Sequence, residues 1–232
     1  MASRRRNPKK TDDTLVDIVE VRDQAQSFME RNQNLVFGLL VAVVVIVGGL
    51  FAYNNFYKLP RQQEAVEQMV QAQVQFERDS FALALANPGG GYPGFLDIAD
   101  NYSGTRAGNL ANYYVGVSYL HLGQYEAALE YLRDFSPAGQ ITPIMKFGAM
   151  GDAYAELGEM DDALSYYQRA ADAEDNSVLT PYYLKKVGML HERREEWDAA
   201  EQAYQQIKNR YPESMVAGDI DKYLARAQRQ GE

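Results

Sequence analysis

Few residues in this chain combine types and spacings that could support catalysis or metal binding. The two histidines, His121 and His191, both fall inside predicted helices, and no carboxylate pair shares a helical turn with His121. A zinc site needs three or four converging ligands, and the chain contains no cysteine. The glycine-rich segment 89–94 lacks the lysine and the preceding strand of a phosphate-binding loop. We therefore predict a non-enzyme without metal or cofactor; an enzyme with an unrecognised groove site is the alternative class.

The abundant acidic and aromatic residues have placements typical of structural roles. Asp161-Asp162 and Glu195-Glu196 lie next to predicted helix starts, where carboxylates stabilise the first turn. The 17 tyrosines recur at helical spacing, which is more typical of a packed core than of a ligand platform. The net charge is −9, and an acidic protein repels phosphate backbones. We predict no binding to nucleic acid and no small-molecule substrate.

Residues 35–53 form an uncharged apolar stretch that is long enough to cross a membrane. The stretch reads LVFGLLVAVVVIVGGLFAY, and as a helix it would span roughly 28 Å, close to the hydrocarbon thickness of a bilayer. Seven Lys/Arg precede it, whereas Lys58 and Arg61 are the basic residues that follow closely. By the positive-inside rule, we predict a single-pass protein of a cell inner membrane, with a cytoplasmic N-terminus and a periplasmic C-terminal domain. A cleaved signal peptide, the competing interpretation, fits poorly because the apolar run is too long and FAY is not a small-x-small site.

Residues 1–34 precede this stretch and predict a basic tail followed by a short helix. Apolar residues of segment 11–31, such as Leu15, Ile18 and Met29, share one helical face. This helix would either rest on the inner leaflet or dock against another membrane protein. The basic cluster of residues 4–10 is interpreted as a topology signal, with a nucleic-acid-binding arm as the alternative.

Three segments after the membrane stretch resemble one another: 109–135, 144–170 and 181–212. Gly116, Gly151 and Gly188 mark equivalent positions at separations of 35 and 37 residues, near the period of a two-helix repeat. A glycine in the middle of a helix costs about 1 kcal/mol, so its recurrence predicts close contact between paired helices. Gly123 and Gly158 would end the first helix of a pair. Glu195 replaces the third turn glycine, which predicts a looser turn there.

Flanking segments predict caps for this stack of helices. Residues 60–85 read as one helix, residues 87–94 must break it, and residues 95–99 form a short second helix. Residues 216–227 predict a closing helix with Ile220 and Leu224 inward and Arg226 toward water. The predicted fold is all-α: a single N-terminal transmembrane helix, a linking helix with a degenerate first pair (54–108), and an α-solenoid with its capping helix (109–232), about four helical pairs in all.

The repeats resemble the tetratricopeptide family. Segment 144–170 carries Gly151, Tyr154, Gly158, Ala163 and Tyr167 in the register of that family. The resemblance implies that the first helix of each pair lines a concave peptide-binding groove. The matching positions are Leu110, Tyr113, Val117, Leu120, His121, Met145, Gly148, Asp152, Ala155, Glu156, Tyr182, Lys185, Met189, Glu192 and Arg193. This groove would run from apolar and aromatic, through acidic, to mixed charge. The lysine–asparagine clamp that some members use for chaperone C-termini is not matched, because Tyr113 and Gly148 replace the lysine.

The whole layout is similar to the ancillary SecYEG translocon subunits of the YfgM type. Those proteins share a short cytosolic helix, a single membrane span and an outer domain of about four helical pairs. The resemblance implies a scaffold that links the SecYEG translocon to periplasmic chaperones, especially the membrane-anchored PpiD type. The alternative is an adaptor in another envelope complex, for cell division or outer-membrane assembly.

Overall fold

A computed structural model describes residue 26 and residues 28–231 of the chain. The predicted amphipathic helix 11–31 therefore lies mostly outside the described residues. The described helices are α1 (Gln33–Tyr53), a π-helical segment (Asn54–Lys58), α2 (Leu59–Glu77), α3 (Phe81–Ala86), α4 (Phe95–Asn101), α5 (Arg106–His121), α6 (Tyr125–Asp134), α7 (Thr142–Leu157), α8 (Met160–Ala173), α9 (Leu179–Arg193), α10 (Trp197–Arg210), a 3₁₀ segment (Met215–Asp219) and α11 (Ile220–Gly231). No strand occurs among the described residues.

The chain divides into two compact units, Met1–Leu59 and Pro60–Glu232. In the first unit, α1 covers the predicted membrane stretch and contains no buried residue. Large apolar side chains such as Phe37 and Val44 are about two-thirds exposed. A helix that is apolar all round needs an apolar environment, and α1 is long and apolar enough to cross a membrane.

The second unit is a stack of helical pairs. Helices α5 and α6, α7 and α8, and α9 and α10 pack against one another in sequence order, and α11 packs on α10. A continuous apolar core runs from α6 to α11, and a separate cluster joins α2, α3, α4 and α5. Three complete pairs thus follow the irregular segment α2–α4, and α11 closes the stack.

Mid-helix glycines allow the paired helices to touch, as predicted. A Cβ atom added at Gly116 would lie 2.6 Å from Leu132 Cγ, and one at Gly151 would lie 2.5 Å from the ring of Tyr167. A Cβ atom at Gly188 would overlap the ring of Tyr204. Side chains of the second helix therefore occupy the space that the glycine leaves free, which confirms the close contact expected at these positions.

The three turns within pairs have the same geometry, so the prediction of a looser third turn was wrong. Gly123, Gly158 and Glu195 all adopt left-handed backbone conformations, with φ of 73°, 80° and 61°. The next amide donates in each turn to the carbonyl five residues earlier, and the Glu196 N to His191 O distance is 2.9 Å, as in the other two turns. These are the hydrogen bonds of a Schellman-type helix end. Glu195 adopts this conformation although a side chain disfavours it by about 1–2 kcal/mol.

The predicted single helix 60–85 is interrupted at residues 78–80. Asp79 has a φ of 54°, and the amides of Arg78 and Ser80 both donate to the Gln75 carbonyl. After this turn, Phe81 packs edge-to-face on Phe76, with ring centroids 5.3 Å apart. The short helix predicted at 95–99 is present as α4.

The closing helix has its predicted inward face but one different contact. Ile220, Leu224 and Ala227 are buried. Arg226, expected to face water, instead pairs with Glu192 of α9, with Nε donating to Oε1 at 3.0 Å. Helix α11 therefore packs mainly on α10 and is joined to α9 through this ion pair.

Candidate peptide-binding groove

The first helices of the pairs, α5, α7 and α9, are neighbours and together form one surface, here called the groove. The three pairs share one turn geometry, so their first helices occupy equivalent places. Side chains that point away from the partner helix therefore lie next to the corresponding side chains of the neighbouring pair. The predicted site residues of all three repeats lie on these helices.

The first repeat contributes an aromatic and apolar wall. Tyr113 is half-buried, and its ring lies 5.4 Å from that of Phe135. Leu110, Val117 and Leu120 are also half-buried and pack against the core clusters, so part of each side chain supports the fold. His121 is exposed and stacks on Phe81 of α3, with centroids 4.2 Å apart.

An ion pair lies at the centre of the groove. Asp152 on α7 accepts a hydrogen bond from the Tyr167 hydroxyl at 2.7 Å and pairs with Lys186 of α9. The ammonium group of Lys186 also lies 5.0 Å from the ring centroids of Tyr167 and Tyr182. The middle of the groove, expected to be acidic, is thus locally neutralised by Lys186.

A tyrosine from the third repeat fills a position that was expected to face a ligand. A Cβ atom at Gly148 would overlap the ring and hydroxyl of Tyr183, which is buried. Tyr183 therefore lies across α7 and forms the floor of the groove beside Asp152. Because Gly148 has no side chain, it leaves room for this ring.

The tyrosines around Asp152 are held in their neutral form. Burial, with smaller effects from Tyr114 and Asp152, raises the pKa of Tyr113 to about 12. Burial and the Asp152 carboxylate also raise the pKa values of Tyr167 and Tyr183. Burial alone would lower the pKa of Lys186, but its pairing with Asp152 outweighs this and raises it. At neutral pH the centre therefore offers phenols and a satisfied ion pair rather than a nucleophile or a general base.

The third repeat presents the most accessible part of the groove. Tyr182 and Met189 are 43% and 47% exposed, and Arg193 is exposed one turn beyond Met189. Lys185 lies against Tyr223 of α11, with Nζ 4.5 Å from the ring centroid. Exposed apolar groups on a rigid helix face, flanked by charges, are typical of peptide-binding surfaces.

Two predicted residues of the second repeat have minor positions. Met145 is half-buried at the start of α7, and Glu156 is exposed near its end. The Glu156 carboxylate accepts a hydrogen bond from Tyr125 of α6 at 3.3 Å. The side-chain bonds of Asp152 and Lys186 described above involve neither residue.

Comparison with known families agrees with this geometry. Residues 110–136 and residues 144–213 each match a model described as a tetratricopeptide repeat. These two segments are similar to tetratricopeptide repeats. Such repeats are typically non-catalytic interaction modules, and no enzyme family is matched. No curated protein matches the chain. Protein binding is therefore the function that the repeats support.

Sequence reasoning named Tyr167 as a repeat position but not as a groove residue, and it missed Tyr183 and Lys186, which connect one repeat to the next. A signal for one of them was present, because Tyr183 follows Gly148 by 35 residues, which is one repeat length. A glycine in the groove-facing helix with a bulky aromatic one period later is compatible with a ring crossing between pairs. No comparable sequence pattern indicates the role of Lys186.

Proposed function

We propose that this protein is a membrane-anchored scaffold whose groove binds a peptide segment of a partner protein. The observation that carries the proposal is the row of Tyr182, Met189 and Arg193 on α9. These side chains stay exposed beside a centre whose own polar groups are satisfied. A partner that covers this surface would bury apolar area, which favours binding, and it would leave no buried charge unpaired.

The membrane anchor gives the proposed scaffold its advantage. Helix α1 exposes its apolar side chains all round, which supports its insertion in a bilayer. A tether converts weak groove binding into frequent local encounters, because it raises the effective concentration of nearby partners. The excess of Lys/Arg before α1 supports a cytoplasmic N-terminus and a periplasmic groove.

Within this function, we propose an ancillary translocon subunit that links SecYEG to a periplasmic chaperone of the PpiD type. The support is the resemblance in layout: a short N-terminal segment, one apolar span and an outer domain of tetratricopeptide repeats. The second candidate is an adaptor of another envelope complex, since it would need the same topology and the same groove.

Site-specific photo-crosslinking in cells tests the partner. A photoreactive residue at Val44 samples the membrane helix, and one at Tyr182 samples the groove. Gln168, exposed on the second helix α8, is the matched control. We expect translocon subunits from Val44, a chaperone from Tyr182 and neither from Gln168. Division or outer-membrane assembly proteins at Tyr182 would favour the second candidate, and equal labelling from Tyr182 and Gln168 would contradict a binding groove.

Topology is tested separately with C-terminal reporter fusions. We expect alkaline phosphatase fused after residue 232 to be active and a fluorescent protein that matures only in the cytosol to stay dark. The reverse result would remove the periplasmic role while leaving the helical scaffold intact.

A further inference from the structure

Three cationic side chains surround one tyrosine ring at the junction of α9 and α11. Lys185 Nζ lies 4.5 Å, Arg226 Cζ 4.9 Å and Lys222 Nζ 5.9 Å from the centroid of the Tyr223 ring. We call Lys185, Lys222, Arg226 and Tyr223 the cation cluster. An aromatic ring attracts each cation, but it does not neutralise their charges.

Only part of this positive charge is compensated. Arg226 pairs with Glu192 in a two-point contact. Among the described residues, Lys185 and Lys222 have no carboxylate within 4.0 Å. The neighbouring Asp221 pairs with Lys208 on the other side of α11, at 2.7 Å. Two ammonium groups therefore converge on one ring without an anionic partner from the described chain.

The two helices that carry the cluster have an excess of basic residues. Helices α9 and α11 carry six Lys/Arg against two Asp/Glu, a net charge of +4. The chain as a whole carries −9. Like charges gathered around one ring repel one another, so an anionic ligand between Lys185 and Lys222 would relieve this repulsion.

The cluster is continuous with the apolar part of the groove. Tyr182, Lys185, Met189 and Arg193 follow one another at spacings of three and four residues on α9, so they share a helical face. Met189 and Tyr182 are exposed there. A ligand that fits this face combines carboxylates with apolar side chains at helical spacing.

We propose that the cation cluster binds aspartate or glutamate side chains of an amphipathic, acidic segment of the partner protein. This inference rests on the proposed function and specifies its ligand. The carboxylates would lie between Lys185 and Lys222, and the apolar side chains of the same segment would cover Met189 and Tyr182. Charge complementarity of this kind mainly sets specificity and the rate of association.

Fluorescence anisotropy with defined probes tests the proposal on the full chain in an uncharged detergent. The probe is a short fluorescein-labelled peptide, blocked at both ends, in which Leu recurs at helical spacing and Glu fills the other positions. The second probe has Gln in place of every Glu. We expect the Glu probe to bind at least about tenfold more tightly than the Gln probe, which corresponds to about 1.4 kcal/mol.

Two double variants separate the cluster from the overall charge. Lys185→Gln with Lys222→Gln removes two charges from the ring, whereas Arg106→Gln with Arg229→Gln removes two charges from exposed positions elsewhere on α5 and α11. We expect the first variant to lose the preference for Glu and the second to keep it within about twofold. Unfolding in urea, followed by fluorescence of Trp197, verifies that both variants are folded.

The outcomes distinguish this inference from the proposed function. Equal binding of both probes to the original protein, or equal losses in both variants, would overturn the cation cluster while leaving the groove in place. A third probe, identical to the Glu probe but with a free C-terminal carboxylate, tests for recognition of a chain end. Binding of this probe without binding of the blocked Glu probe would also overturn the inference. Binding of neither probe, together with no crosslinks from Tyr182, would overturn the proposed function as well.

Discussion

The ring of Tyr183 lies in the space that any side chain at Gly148 would need. The two residues belong to different helical pairs, so this contact joins the second repeat to the third. Because Tyr183 is buried, its ring has little freedom to move away.

Gly148→Ala is therefore expected to destabilise the repeat domain by roughly 1–3 kcal/mol, because overpacking outweighs the better helix propensity of alanine. The measurement is urea unfolding of the full chain in detergent, followed by Trp197 fluorescence. In a double-mutant cycle, the same change in a Tyr183→Ala background should cost clearly less. Equal costs in both backgrounds would show that the two residues do not interact as described.

The Asp152–Lys186 pair gives a second prediction. Asp152→Asn leaves the half-buried Lys186 without its counter-charge and weakens the hydrogen bond from Tyr167. We expect a loss of roughly 1–2 kcal/mol in the free energy of unfolding. Lys186→Met combined with Asp152→Asn should cost less than the sum of the single changes. Strict additivity would contradict a direct pair.

Alkaline pH gives a third prediction. The folded-state pKa of Tyr113 is raised to about 12, whereas an unfolded tyrosine ionises near 10. Its contribution is therefore fully present below pH 10 and is lost as pH rises from about 10 to 12, a loss of roughly 2–3 kcal/mol. The pKa of Lys186 is also raised, so its contribution likewise disappears only at alkaline pH.

Tyr113→Phe tests this assignment. We expect the variant to show a shallower fall in unfolding free energy between pH 10 and pH 12 than the original protein, because it has no phenol to ionise at this position. Tyr92→Phe, at an exposed loop position, is the matched control. A pH profile that is identical in all three proteins would contradict the role of Tyr113.

The third turn gives a fourth prediction. Glu195 holds a left-handed conformation that glycine adopts without strain. Glu195→Gly should stabilise the domain by about 0.5–1 kcal/mol, after allowance for the greater freedom of glycine in the unfolded chain. Gly158→Ala, the reverse change at the equivalent turn, should destabilise it by a similar amount or more. Lower stability of the Glu195→Gly variant would mean that the Glu195 side chain itself supports the turn.

The periodic part of the fold could be predicted from the sequence, because its cause is periodic. Gly116, Gly151 and Gly188 recur at one repeat length, and each serves the same contact within its own pair. The buried face of α11 was predictable for a similar reason, since Ile220, Leu224 and Ala227 follow helical spacing. The apolar stretch that became α1 needed only length and composition.

The centre of the groove could not be predicted in the same way. The contacts of Asp152 with Lys186 and of Gly148 with Tyr183 depend on the rotation between neighbouring pairs and on side-chain length. Neither quantity can be read from the sequence: the one-repeat spacing of Gly148 and Tyr183 is compatible with a ring that crosses between pairs, but it does not fix the rotation or the reach of the side chain. The prediction of a looser turn at Glu195 was wrong for another reason. The hydrogen bonds of the helix end impose a left-handed backbone conformation there even though the residue is not glycine.

The glycine contacts are of two kinds, and the difference determines which rearrangements of the repeats the chain would tolerate. Gly116 with Leu132, Gly151 with Tyr167 and Gly188 with Tyr204 are each sixteen residues apart and lie within one pair. A duplicated or transplanted pair would bring such a contact along complete. Gly148 and Tyr183 come from successive pairs, so exchanging the second and third pairs would separate the cavity from the ring that fills it. This contact thus depends on the order of the pairs. A chain with the second and third pairs exchanged would keep its helices but lose the floor of its groove.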